Sequence, residues 1–178
     1  MYDAYPLYHA YPVDGSACEA GAAAGREEPR VDATRAIEFE TMLLSRHLVE
    51  ITGRRERGRL DRSAYTLLSR LRMAGPMSIG ELADAFGLDQ STLNRQTGTM
   101  LNAGLVERIP DPAGGIARKF RITAEGERRV DADRAVNLEA LSRILAGWPP
   151  AEAAAFAHAL QRFNTDIERL SGRIWPRP

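Results

Sequence analysis

The sequence predicts a mainly α-helical fold, with a three-helix core and a two-stranded wing set between long N- and C-terminal helices. Three observations carry this. Segments with apolar residues at helical spacing recur from residue 32 onward, each bounded by a capping residue and by glycine or proline. One pair of short runs, near 106–109 and 119–123, alternates like strands around a Pro/Gly-rich tip. Residues 78–108 (SIGELADAFGLDQSTLNRQTGTMLNAGLVER) read as two short helices joined by a tight turn and followed by a strand.

Residues 1–31 have neither period, which leaves them outside the expected fold. Ala-Tyr-Pro occurs twice, ending at Pro6 and Pro12, and favours an extended arm. The small residues that follow resemble a linker. Two roles fit this arm: a tail without fixed structure, or a strap whose tyrosines pack on a partner subunit. Cys18 has only Arg26 as a nearby cation along the chain, so it lacks the setting of a sensing thiol. Asp32 or Thr34 then starts a helix to about Thr52, with Ile37, Leu44, Leu48 and Ile51 on one face and Gly53 after it. The basic connector at 54–59 (RRERGR) suits a phosphate contact or a solvated turn equally.

Asp61 caps the next helix, whose core face is Ala64, Leu67, Leu68 and Leu71. Gly75 and Pro76 end it, since proline cannot continue a helix. Ser78 with Glu81 three residues on has capping-box spacing. Ile79, Leu82, Ala83 and Phe86 give that short helix its apolar face. Gly87 can stop it in a left-handed conformation, Leu88 is expected to plug the corner, and the Asp89 carboxylate to cap the following helix.

That helix, about residues 90–103, turns Leu93, Met100 and Leu101 inward and crowds Gln90, Ser91, Thr92, Asn94 and Arg95 into its first turns. Such side chains suit base edges in a DNA major groove. Asn and Gln pair with adenine, Arg with guanine or phosphate, and Ser and Thr with either. Gly104 stops the helix, and the strand Val106–Ile109 follows. The tip at 110–117 (PDPAGGIA) leads into a returning strand at 119–123 with Phe120 and Ile122 inward.

Thr123 caps a long helix over 124–146, with Val130, Leu138, Leu141, Ile144 and Leu145 on one face. Residues 147–150 (GWPP) break it. In the last helix Phe156, Leu160, Phe163, Ile167 and Leu170 alternate at four and three, a heptad seam that needs a partner helix.

The order helix, Gly-Leu turn, D-x-S-T-x-x-R helix, A-G-L-V-x-R strand, Asp-Pro loop and R-I-T-A-E-G resembles the MarR family of winged helix-turn-helix transcriptional regulators. The likeness runs from about Asp32 to the C-terminus and is most specific at residues 82–108 and 121–126. It implies a winged helix-turn-helix DNA-binding domain at 53–123 and a helical dimerisation region at 32–52 and 124–178, with the flexible arm at 1–31 ahead of it. It further implies a homodimer whose first and last two helices interleave, a palindromic operator in double-stranded DNA, and a repressor's role. Relatives carry an arginine at the wing tip that enters the minor groove. The matching positions here are Gly114, Gly115 and Ile116, so Arg118, with Lys119 beside it, is the candidate substitute. Gln96, Thr97 and Gly98 stand where relatives are partly apolar, and a mid-helix glycine costs about 1 kcal/mol against alanine. Many members bind small aromatic acids or phenols between the dimer helices and the winged domain. His47 and Tyr65 are candidates for such a pocket, although core or surface roles fit each as well.

The bulk numbers set the limits. The 178 residues, 44% hydrophobic and 27% charged, suit a soluble globular chain of one core with an appendage. No apolar run reaches the roughly 20 residues of a membrane span, and no secretion signal is evident, so the expected location is the cytoplasm. One cysteine excludes an internal disulfide. The net charge of +0 conceals an uneven distribution: residues 54–129 hold fourteen Arg or Lys against nine Asp or Glu. A basic central lobe is what phosphate contact requires.

An enzyme is the second class of function. The chain has no Gly-rich nucleotide loop, no Cys/His metal spacing and no nucleophile beside a base motif, so no catalytic residue, metal or cofactor is expected. His9, His47 and His158 lie in different elements. The third class is a winged helix used only for protein contacts. It would present an apolar face, and Gln90, Ser91, Asn94 and Arg95 are polar.

Overall fold

The computed structural model describes residues 28–53 and 59–177, giving only the helical backbone for 28–31 and 49–53. The tyrosine-rich arm, Cys18 and the first five residues of the basic connector lie outside the described residues. The elements run α1 (Glu28–Gly53), α2 (Arg62–Ala74), α3 (Ile79–Phe86), α4 (Gln90–Asn102), β1 (Val106–Ile109), β2 (Lys119–Ile122), α5 (Ala124–Ile144) and α6 (Pro150–Ser171). The chain divides into two units after Leu44. Among the described residues no helix is long and apolar enough to cross a membrane.

Helix α1 starts four residues ahead of the Asp32 signal, at Glu28. Pro29 falls in its first turn, where a missing N–H costs nothing, and acidic Glu28 suits the positive end of the helix. In the first unit Ile37, Phe39, Met42 and Leu44 are exposed along this helix.

The second unit holds the core. Its centre is Phe120, packed with Leu67, Leu68 and Leu71 of α2, Leu82 of α3, Leu93 and Met100 of α4, and Val130 of α5. Local chemistry explains the elements around it. The Asp61 carboxylate accepts from the Ala64 N–H at 2.8 Å and starts α2. Ser78 and Glu81 close the capping box of α3 in both directions. Gly87 ends that helix at φ 62°, a left-handed value that suits glycine. Strands β1 and β2 pair antiparallel with Arg108 opposite Phe120, and Met77 adds a single bridge to Phe120.

Thr123 ties this wing to α5. Its N–H donates to the Leu105 carbonyl at 3.1 Å and its hydroxyl to the Gly104 carbonyl at 2.7 Å, while the same hydroxyl accepts from the Gly126 N–H. Only the first half of α5 enters the core, through Gly126, Val130 and Asp133. Leu138, Leu141 and Ile144 are exposed, and α6 has no buried side chain at all.

Three expectations need correction. Leu88 does not plug the corner between α3 and α4: it is exposed, and the inside is already filled by Leu82 and Leu93. The Asp89 carboxylate makes no capping bond. Its backbone carbonyl instead accepts the N–H groups of Thr92 and Leu93. The C-terminal helical region stops at Ser171. Gly172 turns left-handed at φ 69°, and residues 173–177 run back as irregular chain.

Candidate nucleic-acid interface

The two faces of α4 separate cleanly. Leu93, Thr97 and Met100 recur at spacings of four and three and are buried. Ser91, Asn94 and Arg95 point away from that stripe and are exposed, Gln90 is exposed in the first turn seven positions before Thr97, and Thr92 is half-buried at the boundary. Among the described residues none of these five side chains has a hydrogen-bond or ion-pair partner. The first two turns of α4 therefore present unspent donors and acceptors from a rigid, well-packed helix. Groove reading requires that arrangement.

The unusual Gln96-Thr97-Gly98 stretch has a partial explanation. Thr97 is fully buried, and its hydroxyl donates back to the Leu93 carbonyl at 2.7 Å. This back-bonding leaves its methyl for the core and satisfies the polar group within the helix. At Gly98 a side-chain methyl would meet no atom beyond its own stretch of helix within 4 Å among the described residues. Packing within the chain does not require that glycine.

The wing is a tight, internally bonded turn. The Asp111 carboxylate accepts from the Ala113 N–H at 3.0 Å, and the Gly114 N–H donates to the Asp111 carbonyl at 2.9 Å. Gly114 has φ 81°, which favours glycine, and a Cβ at Gly115 would lie 2.3 Å from Asp111 Oδ2, so a side chain there would displace that carboxylate. Ile116 at the tip is fully exposed. Arg118 is also exposed and has no ion-pair partner among the described residues, which leaves its guanidinium available.

Lys119 sits differently from its neighbour. Its Nζ lies 3.1 Å from Glu81 Oε1 and 3.5 Å from an Asp111 oxygen, bridging the start of α3 to the wing. The Glu81 hydrogen bond raises the Lys119 pKa above its ordinary 10.5. Glu81 is held below its ordinary 4.5, first by the Ser78 N–H and then by Lys119. The folded state thus favours ionised Glu81. That contribution is present above the ordinary carboxylate value and is lost as pH falls through the lowered one. Glu81→Gln is accordingly expected to flatten the acid-side loss of stability. Thermal midpoints taken from neutral pH down to about pH 3 check this, and an unchanged acid limb would refute it.

Other cations of the basic lobe are also spent internally. Arg59 donates to Asn137 Oδ1 at 3.0 Å and lies 3.4 Å from Asp133, whose carboxylate also accepts the Leu60 N–H. The last residue of the basic connector is therefore a clamp onto α5. Arg72 pairs with Asp131, and Arg121 with Glu107 across the strands. In this stretch Arg62, Arg95 and Arg118 are among those left without an ion-pair partner.

A cavity of about 220 Å³ opens between the end of α1, α2 and α5. Tyr65 lines it, together with Leu48, Arg62, Thr66, Asp133 and Asn137, but His47 does not. Asp133 was not singled out from the sequence, where its one local signal is its place three positions after Val130 on α5. Nothing local signals that Asn137 faces Arg59.

Comparison with known proteins agrees with this geometry. The MarR family model matches residues 60–113. A relative from Bacillus subtilis described as an uncharacterized HTH-type transcriptional regulator, YxaD, is 37% identical over 129 residues, covering 72% of this chain and 90% of its own. A MarR family protein from Bacillus stearothermophilus superposes with a TM-score of 0.66 at 20% identity, over 81% of this chain and 99% of the other. BpsR of Bordetella bronchiseptica, whose structure concerns regulation of its DNA binding by 6-hydroxynicotinic acid, superposes with a TM-score of 0.56 at 20% identity. That match covers 71% of this chain and 91% of BpsR.

Proposed function

The chain belongs to the MarR family of transcriptional regulators, and from that premise we propose that it is a homodimer reading a palindromic DNA site through the first turns of α4. The observation that carries this reading is the set of unpaired polar side chains Gln90, Ser91, Thr92, Asn94 and Arg95 in the first turns of a helix anchored by a buried stripe. The polarity of that face also argues against a module for protein contacts alone. Arg118, exposed and unpaired, supplies a phosphate contact from the wing, whereas Lys119 braces the wing against α3. The exposed apolar faces of α1, α5 and α6 supply the dimer contact. A two-fold dimer sets its two copies of α4 about 34–36 Å apart, hence half-sites about 10 base pairs apart.

Asn94 can hold adenine bidentately. Asn94→Ala is expected to cost about 1–3 kcal/mol and to relax preference at one base pair in each half-site. Arg118→Ala is expected to weaken every sequence alike and to flatten the salt dependence, because a phosphate contact carries no base information. Titrations against selected and scrambled duplexes at fixed salt separate the two. If Asn94→Ala and Arg95→Ala both leave the selected site and its affinity unchanged, α4 does not read DNA.

Repression by occupancy of the operator, with release by a small aromatic acid, completes the reading. Its support is the cavity beside Tyr65, which offers an aromatic wall and the unpaired Arg62. With 6-hydroxynicotinic acid and simple phenolic acids as probes, the expected result is a raised thermal midpoint and weaker operator binding. No shift, with operator binding intact at saturating probe, would remove the ligand from the scheme.

A further inference from the structure

The chain beyond α6 does not trail away from the fold. After Gly172 it returns to the helix-turn-helix and docks there. The Trp175 ring meets the Phe86 ring edge-on at 5.5 Å, at the last residue of α3. The Arg70 guanidinium lies 5.1 Å from the centre of the Trp175 ring, and Arg70 donates to the Ile174 carbonyl at 2.8 Å. The Arg173 guanidinium covers Gly87, the left-handed residue of the turn between α3 and α4, so closely that a Cβ there would lie 2.6 Å from it. The segment is also closed on itself. The Glu168 carboxylate accepts the Trp175 N–H at 3.2 Å and the Arg177 guanidinium at 2.7 Å.

These contacts matter because of what α6 lacks. It is a helix of 22 residues, about 33 Å long, and none of its side chains is buried. Its seat on the winged lobe therefore depends on its two ends. One is the turn after α5, and the other is this strap. The strap lands on the turn that sets the direction of α4, three residues before α4 begins.

We propose that residues 173–177 act as a tie rod between α6 and the recognition helix, with Trp175 as the positioning residue. A second copy seated on α6 thereby fixes the angle and spacing of α4. The proposal rests on the dimeric DNA-reading function above. Trp175 touches no DNA in this scheme; it acts through Phe86 and the Gly87 turn.

Half-site spacing provides a readout that a merely stabilising contact would not move. Full-length wild type, Trp175→Ala and Trp175→Phe are titrated on the selected palindrome and on versions with one base pair added to or removed from the centre. Wild type is expected to discriminate against the altered spacings. Trp175→Ala, still dimeric by sedimentation, is expected to lose about tenfold on the correct spacing, within the usual range of coupling between sites, and much less on the altered ones. Trp175→Phe keeps an aromatic wedge and regains most of the discrimination. Should Trp175→Ala fail to fold, Glu168→Gln loosens the same loop without emptying the aromatic contact, and the same narrowing is expected of it. Equal losses at all spacings, or none, would overturn the tie-rod role while Asn94→Ala still weakens binding. If Asn94→Ala is also silent, the DNA reading itself has failed and the proposal falls with it.

Discussion

Replacing Leu160 and Phe163 together with aspartate is expected to give monomeric or insoluble protein. Phe156, Leu160, Phe163 and Ile167 recur at four, three and four along α6 and remain 47%, 40%, 44% and 48% exposed. Leu138, Leu141 and Ile144 on α5, and Ile37, Met42 and Leu44 on α1, are exposed in the same way. Single exposed apolar residues are ordinary, but three helices with apolar stripes are what the proposed dimer would cover. Covering the open half of each such side chain contributes on the order of 1 kcal/mol, and in a two-fold dimer each residue counts twice. A buried carboxylate without a partner instead costs several kcal/mol, and the double substitution places four of them at one interface. The loss is therefore expected to exceed what the remaining contacts supply. Sedimentation velocity, with wild type alongside, decides the matter. Wild type sedimenting as a folded monomer, or a double variant that stays dimeric, would sink the interface.

The elements that the sequence foretold are those whose causes lie within one or two turns. Ser78 with Glu81, Asp61 with Ala64 and Thr123 with Gly126 are each contacts across three residues, so spacing alone reveals them. The buried stripe of α2 and the inward Phe120 follow from period in the same way. The exposed side of α4 was legible for the same reason, since Leu93 and Met100 fix which side is inside, whereas the buried Thr97 stood out as an anomaly and Leu101 is only half-buried. What stayed hidden depends on partners far along the chain. Lys119 looked like a free cation beside Arg118 until the fold brought Glu81, 38 residues earlier, to its ammonium. Arg59 looked like part of a basic connector until Asp133 and Asn137 met it. Residues 172–178 carry no period, so nothing local announced that Trp175 would meet Phe86 and Arg70. The Asp89 carboxylate fails for a subtler reason. Its residue type suits a cap, but its backbone carbonyl, rather than its side chain, accepts from the first turn of α4.

Gly126→Ala is expected to destabilise the protein by about 3 kcal/mol or more, at the upper end of what overpacking costs. The reason lies in what surrounds the missing methyl. A Cβ at this position would stand 2.2 Å from the Leu105 carbonyl oxygen and 2.8 Å from Ile122 Cγ1. The first of these is backbone and has no rotamer to give. It is also committed, because the Leu105 carbonyl accepts the Thr123 N–H that joins wing to helix. Relief therefore requires α5 to withdraw from β1, breaking that bond and the Thr123 cap on Gly126 together. For a chain of this size 3 kcal/mol corresponds to a midpoint lower by about 6–12 °C. Gly98→Ala is the matched control. It makes the same chemical change inside a helix where, among the described residues, no atom beyond the neighbouring helix backbone lies within 4 Å, and helix propensity alone predicts a gain of up to about 1 kcal/mol. Thermal or urea unfolding of the two variants beside wild type tests the argument. A midpoint for Gly126→Ala within a degree of wild type would show that wing and α5 are not in close contact, and the account of the Thr-Ala-Glu-Gly turn would be wrong.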